Sequence, residues 1–161
     1  MPIKVGDRIP EAKFRVMGPE GPAWKTTDEV FKGKKVALFA VPGAFTPTCN
    51  NVHMPSFLNN VDAFKGKGVD TVAVTGVNDV FVMEQWKKST GAAGKIEFLA
   101  DGNADFAKAV DMTMDGSGGG LGTRSKRYSM LVENGVVKQF NVEDAPGKCE
   151  ISGGDKLLAQ I

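Results

Sequence analysis

Three short apolar runs constrain this chain more than any other feature. Lys35-Val36-Ala37-Leu38-Phe39-Ala40-Val41 stops at Pro42-Gly43, and Val69 to Thr75 and Ile96 to Ala100 have the same character. An apolar run without alternation predicts a strand buried on both faces, as in a parallel sheet covered by helices. The intervening segments supply the helices. Phe57, Leu58, Val61 and Phe64 mark one apolar helix face, and Val80, Phe81, Met83, Glu84, Trp86 and Lys87 have helical spacing behind the start signal Asn78-Asp79. The order is strand, helix, strand, helix, strand.

The end of the chain changes character. Arg127 to Glu133, Asn134-Gly135, and Val136 to Val142 read as a hairpin, because Asn-Gly supplies the two positive-φ residues of a type I′ turn. A last helix follows, with Ser152 or Asp155 near its start and Leu157, Leu158 and Ile161 inward. A βαβ half joined to a ββα half predicts an α/β fold, a mixed central sheet with helices on both faces. That is the outline of a thioredoxin-like fold, which by itself fixes no function. The 161 residues fit a single domain over residues 1–161 without repeats or long linkers. The glycine-rich run Asp115 to Gly122 is expected to be a mobile loop inside it. It matches neither Gly-x-Gly-x-x-Gly nor Gly-x-x-x-x-Gly-Lys-Ser/Thr, so phosphate binding is not indicated. Nearby, Met112 and Met114 read as packing residues.

Charge removes several function classes. Lys and Arg number 20 against 19 Asp and Glu, a formal +1, which leaves no electrostatic basis for binding nucleic acid or an anionic membrane. Lys32, Lys34 and Lys35 are a solvated approach to a strand. Residues 1–7 carry no signal-like apolar stretch, and no segment reaches the roughly 18 apolar residues of a membrane helix, so the expected location is the cytoplasm. The two cysteines, Cys49 and Cys149, are too few for a disulfide framework and read as thiols.

The segment from Val41 to His53 carries the chemistry. Thr46 suits a helix N-cap and Pro47 the first helical position, which puts Cys49 in a first turn whose backbone N–H groups lack partners. Such settings can lower a cysteine pKa from about 8.5 to between 3.5 and 7.5. The alternative is a small buried hydrophobe, the usual fate of a free cysteine. No Cys-x-x-Cys is present, so a local dithiol cycle is impossible. A lone thiolate can still attack an electrophile such as a peroxide and become a sulfenic acid. The O–O bond then needs polarising donors, for which Thr46 and a nearby arginine suffice.

Pro42, Thr46 and Cys49 reproduce the Pro-x-x-x-Thr-x-x-Cys motif of peroxiredoxins. Val41 to Cys49, together with Gly120-Leu121-Gly122-Thr123-Arg124-Ser125-Lys126-Arg127-Tyr128-Ser129-Met130, resembles the type II (peroxiredoxin V) subfamily over nearly the whole chain. The resemblance implies a thiol peroxidase for hydrogen peroxide and alkyl hydroperoxides, acting in antioxidant defence without metal, flavin or haem. Cys49 would be the peroxidatic nucleophile, Thr46 the hydroxyl contacting peroxide, Pro42 a shield against water and Arg127 the stabilising guanidinium. Arg124 is the competing arginine, with bracing the loop as its other role. His53 lies one turn beyond Cys49; it is either a general base or a structural pocket wall, and its position disfavours the base. Two potential ligands without a third make no zinc site. Phe45 is either core or, as the resemblance implies, close to a homodimer face.

The sulfenic acid needs a thiol to resolve it. Cys149, in Pro146-Gly147-Lys148-Cys149-Glu150, is the chain's other sulfur nucleophile; some type II members resolve near the C-terminus. Others carry a cysteine in the segment that here reads Val72 to Asn78, which has none. Glutathione, glutaredoxin or thioredoxin acting from outside is favoured, because Cys149 lacks an evident activating turn. Two rival functions remain on the same residues: a thiol–disulfide or glutathione-transfer oxidoreductase, and a non-enzymatic binding module that responds to Cys49 oxidation.

Overall fold

The computed structural model describes residues 2–161. Its strands are β1 (Lys13–Gly18), β2 (Gly21–Thr26), β3 (Lys35–Val41), β4 (Thr71–Gly76), β5 (Glu97–Ala100), β6 (Thr113–Asp115), β7 (Thr123–Ser125), β8 (Tyr128–Glu133) and β9 (Val136–Val142). The helices are α1 (Thr27–Phe31), α2 (Met54–Leu58), α3 (Val61–Gly66), α4 (Val80–Thr90), α5 (Asp105–Ala109) and α6 (Gly154–Gln160), with a π turn over Cys49–His53 running into α2. Seven strands form one sheet in the order β2-β1-β5-β4-β3-β8-β9, and β6 and β7 pair apart from it.

The three apolar runs are the parallel centre of that sheet, β3 beside β4 and β4 beside β5. Their lack of alternation has the expected cause. Ala37, Phe39 and Val41 of β3 face a core shared with Met54, Phe57, Phe64, Trp86 and Leu157. Val36, Leu38 and Ala40 face a second core with Phe14, Phe31 and Phe106. Helices therefore cover both faces, and the sheet is mixed because β1, β8 and β9 join antiparallel. Asn134 and Gly135 carry the positive φ values, 48° and 79°, that the β8–β9 turn requires. Asp79 caps α4, accepting from Phe81 N and Val82 N at 2.9 Å.

Three features depart from the sequence expectations. The β1–β2 hairpin and α1 were not foreseen; β2 is mostly exposed and carries too little apolar alternation to mark a strand. The apolar face from Phe57 to Phe64 is two short helices rather than one. The chain breaks at Asn59-Asn60, where the Asn60 amide donates to Ser56 O at 2.7 Å and offers that carbonyl a substitute for a helical partner. The glycine run closes on itself between β6 and β7, with Gly116 N donating to Gly122 O at 2.6 Å and Leu121 N to Gly116 O at 2.9 Å. It is a hydrogen-bonded turn, where sequence suggested a loose loop.

The last helix docks through a close backbone approach. Gly154 N donates to Ser56 Oγ at 2.9 Å, and a Cβ at Gly154 would fall on the Ser56 carbonyl. Gly154→Ala is expected to destabilise the fold by about 1–3 kcal/mol through overpacking, read as a lowered thermal midpoint. An unchanged midpoint would mean that α6 docks without this contact.

Candidate active site

The site is built where β3 turns into a helix. After Val41, the buried Pro42 and Gly43 lead into a turn held by Ala44 N donating to Asn78 Oδ1 at 2.9 Å. Phe45 follows with φ of 66°, in the left-handed region, and its side chain is 48% exposed rather than core. Thr46 stands ahead of the helix, its carbonyl accepting from Asn50 N at 2.8 Å. Its hydroxyl, expected as a cap, donates instead to Gly43 O at 2.7 Å.

Cys49 and His53 open and close a π turn, in which Met54 N reaches back to Cys49 O. Sequence spacing suggested an ordinary α-helix here. Pro55 gives the reason for the difference: it has no N–H to return to Asn51 O, and its ring crowds that carbonyl, so the wider turn relieves the ladder. The turn is pinned to the sheet by aromatic packing. Phe57 stacks on Phe39 at 4.1 Å between centroids, and the His53 ring lies 4.9 Å from Phe39. Trp86 Nε1 donates to Asn50 Oδ1 at 2.9 Å and ties the turn to α4.

Arg127, between β7 and β8, is brought against this turn and is 2% exposed. Its Nη2 lies 2.9 Å from Cys49 Sγ, and its Nη1 lies 2.9 Å from His53 Nδ1. Nε and Nη2 donate to Pro146 O at 3.2 and 3.0 Å. Among the described residues no carboxylate lies within ion-pair distance of this guanidinium. Cys49 is itself fully buried. Arg124 is placed elsewhere, donating from Nε to Leu121 O at 2.9 Å and from Nη1 to Pro42 O at 3.2 Å. It clamps the glycine turn onto the end of β3, against Gly43, where a Cβ would collide with Nη1.

The partners of His53 fix its tautomer. Nδ1 accepts from Arg127, so Nε2 carries the hydrogen and donates to Ser152 O at 2.9 Å. Burial, then the Arg127 charge, lower its pKa from 6.5 to about 3. A neutral ring with both nitrogens engaged holds the guanidinium and has no free lone pair for a substrate proton.

The connector after β9 folds over the same place. Thr48 Oγ1 donates to Gly147 O at 3.1 Å, next to Cys49. Cys149 is half-buried and free, with Ser152 Oγ at 3.9 Å from its sulfur. Burial pushes its thiol up, with the nearby Glu143 and Asp155 adding to the shift and Ser152 and Arg127 opposing it.

Sequence reasoning missed the main-chain acceptors Pro146 O and Ser152 O, which no side-chain motif announces. It also missed Glu143, a buried carboxylate in that connector. Among the described residues, no three His, Cys, Asp or Glu side chains gather as metal ligands would.

The profile of the Redoxin family matches residues 4–158. The chain is similar to peroxiredoxin-2C of Oryza sativa subsp. japonica, 41% identical over 161 residues and covering 99% of both chains. It is similar to the reduced Prx3 of Vibrio vulnificus solved in complex with hydrogen peroxide, at 45% identity, TM-score 0.93 and 98% of each chain. It also resembles peroxiredoxin 5 of Alvinella pompejana at 36% identity and TM-score 0.86, over 98% of this chain and 97% of that one.

His53 is the single histidine, so its titration can be followed without assignment. A folded-state pKa depressed from 6.5 to about 3 adds stability that is present above pH 6.5 and is lost as pH falls through that window. The imidazole 15N signals are expected to stay those of a neutral ring between pH 8 and pH 5. A midpoint near 6.5 would remove the neutral-ring assignment.

Proposed function

We propose a catalytic cycle for this chain from the premise that it belongs to the Redoxin family and is a peroxiredoxin, a thiol-dependent peroxidase. Cys49 Sγ, as thiolate, attacks one peroxide oxygen. The S–O bond forms as the O–O bond breaks, and the leaving oxygen takes a proton and departs as water or an alcohol, leaving a sulfenic acid. The observation that supports this best is a buried guanidinium, 2.9 Å from Cys49 Sγ, with neutral acceptors on its other sides. A cation so placed favours negative charge on sulfur and on the departing oxygen, in a dry setting where each contact counts for more. The role of Thr46 is to turn its hydroxyl from Gly43 O toward the peroxide, and that of Pro42 is to exclude water. Hydrogen peroxide and small alkyl hydroperoxides are the proposed substrates, in line with the ligand of the similar Vibrio vulnificus protein.

Resolution is proposed to come from an external thiol, glutathione, glutaredoxin or thioredoxin. That thiol attacks the sulfenic sulfur, expels water and forms a mixed disulfide, which a second thiol reduces. The raised thiol of Cys149 supports an external attacker, since less of it is ionised at neutral pH. One observation favours the second reading, an internal disulfide: the Thr48–Gly147 bond draws the Cys149 connector to the peroxidatic turn. A homodimer and a cytoplasmic location complete the proposal, supported by the exposed Phe45, Phe81 and Leu121 and by two free thiols.

Cys49→Ser should abolish peroxide consumption, and Arg127→Gln should slow Cys49 oxidation by about 10²–10³-fold in a folded protein. An Arg127→Gln variant that oxidises at the normal rate would move the stabilising role away from this guanidinium. Resolution is decided by intact mass after one equivalent of peroxide and then glutathione, in the wild type and in Cys149→Ser. A glutathione adduct on both proteins supports the external route. A loss of two hydrogens in the wild type, absent from the variant, would establish Cys149 as the resolving thiol.

A further inference from the structure

Glu143 is a buried carboxylate that the cycle does not use. Glu143 begins the connector after β9 and is 8% exposed. Its Oε2 accepts from three successive main-chain amides, Glu150 N at 3.0 Å, Ile151 N at 2.8 Å and Ser152 N at 2.6 Å. Its own N donates to Arg127 O at 3.0 Å. The loop gathered by this carboxylate presents Ser152 O to His53 Nε2 at 2.9 Å, and His53 Nδ1 meets Arg127 Nη1 at the same distance.

We propose that Glu143 is a positioning residue for the peroxidatic reaction, acting through the loop of residues 150–152 and the His53 ring to aim the Arg127 guanidinium at Cys49. The inference rests on the peroxidase reading above. Its physical reason is the sign of the charges. Arg127 must be held in one orientation, and a carboxylate would hold it firmly, but a carboxylate in contact would also neutralise the charge that the sulfur and the leaving oxygen need. The structure separates the two tasks. The groups that touch Arg127, His53 Nδ1 and Pro146 O, are uncharged. The anion that organises them stands a loop away, with backbone dipoles directed at it.

The chain of contacts also fixes direction. Ser152 O accepts only if its peptide faces the ring, and the peptide just before it is held by the bond from Ser152 N to Glu143. With Ser152 O accepting, Nε2 carries the hydrogen and Nδ1 presents a lone pair. Were the loop to turn away, Nε2 would lose its acceptor and the ring its anchor, so Nδ1 could swing off the guanidinium. Nη1 would then lose its acceptor, and Nη2 its fixed distance to sulfur.

The test uses the full chain and two variants, Glu143→Ala and Glu143→Gln, the second keeping an acceptor oxygen of the same reach. Hydrogen peroxide is the probe, and the second-order rate of Cys49 oxidation is measured with circular dichroism as the check on folding. The 15N imidazole spectrum of His53 is recorded on each protein. Expected is a fall in oxidation rate of roughly tenfold to a hundredfold in Glu143→Ala, smaller in Glu143→Gln, with His53 Nδ1 losing its acceptor signature in step. If Glu143→Ala fails to fold, the Glu143→Gln pair of readouts decides. A folded variant with the wild-type rate and an unshifted His53 spectrum overturns the proposal, and so does a slowed rate with an unshifted spectrum. The spectrum reads the relay whether or not the wild type consumes peroxide, so a failure of the peroxidase reading shows separately, as a wild-type Cys49 inert to peroxide.

Discussion

A permanently charged side chain buried without a carboxylate is the constraint on which the rest of this molecule depends. At an effective dielectric near 20, opposite unit charges about 4 Å apart attract by about 4 kcal/mol, while desolvating each ion costs several kcal/mol. Attraction to one ionised sulfur therefore does not by itself keep Arg127 inside the protein. The difference must come from neutral acceptors in good geometry, and these are what surround it: Pro146 O on two N–H groups and His53 Nδ1 on a third. Each of these acceptors needs support in turn, from the connector after β9 and from the turn that carries Cys49.

That dependence explains why so much of the fold converges on one corner. β3 delivers Cys49 and His53 through a turn held by Asn78, and the Phe39–Phe57–Phe64 stack fixes the turn on the sheet. The start of β8 delivers Arg127. The connector delivers Pro146 O and Ser152 O, and Ser56 ties its far end to α2 through Gly154 while closing on His53 O at 2.6 Å. The π turn belongs to the same arrangement, because it keeps Cys49 and His53 together against one guanidinium although Pro55 interrupts the regular ladder.

What the sequence disclosed follows a physical division. The central strands, the Asn134-Gly135 turn and the Asp79 cap were legible because each is decided locally, by an apolar run, a φ requirement or a cap. Pro42, Thr46, Cys49 and Arg127 were legible through a motif, and the structure sets Arg127 on the sulfur and Arg124 on Pro42 O, a division between two arginines three residues apart that spacing alone left open. The role of His53 was half legible: its place on the helix argued against a base, but its attachment to Arg127 needs contacts spanning 74 residues. Main-chain acceptors were illegible in principle, since every residue has a carbonyl and only the fold selects one. Glu143 was hidden for the same reason, because its partners are amides.

The two cysteines show what this environment adds. By exposure alone Cys149 would be the reactive thiol, since it is half-buried while Cys49 is sealed. The groups in contact with each sulfur run the other way. Burial is the main influence against the Cys149 thiolate; Ser152 and Arg127 oppose it, and Glu143 and Asp155 add to it. Cys49 has the guanidinium in hydrogen-bond contact. The same carboxylate that gathers residues 150–152 is also among the groups that push the Cys149 thiol up, after burial. One buried anion, placed on the far side of that loop, serves the first sulfur through geometry and disfavours the second through charge.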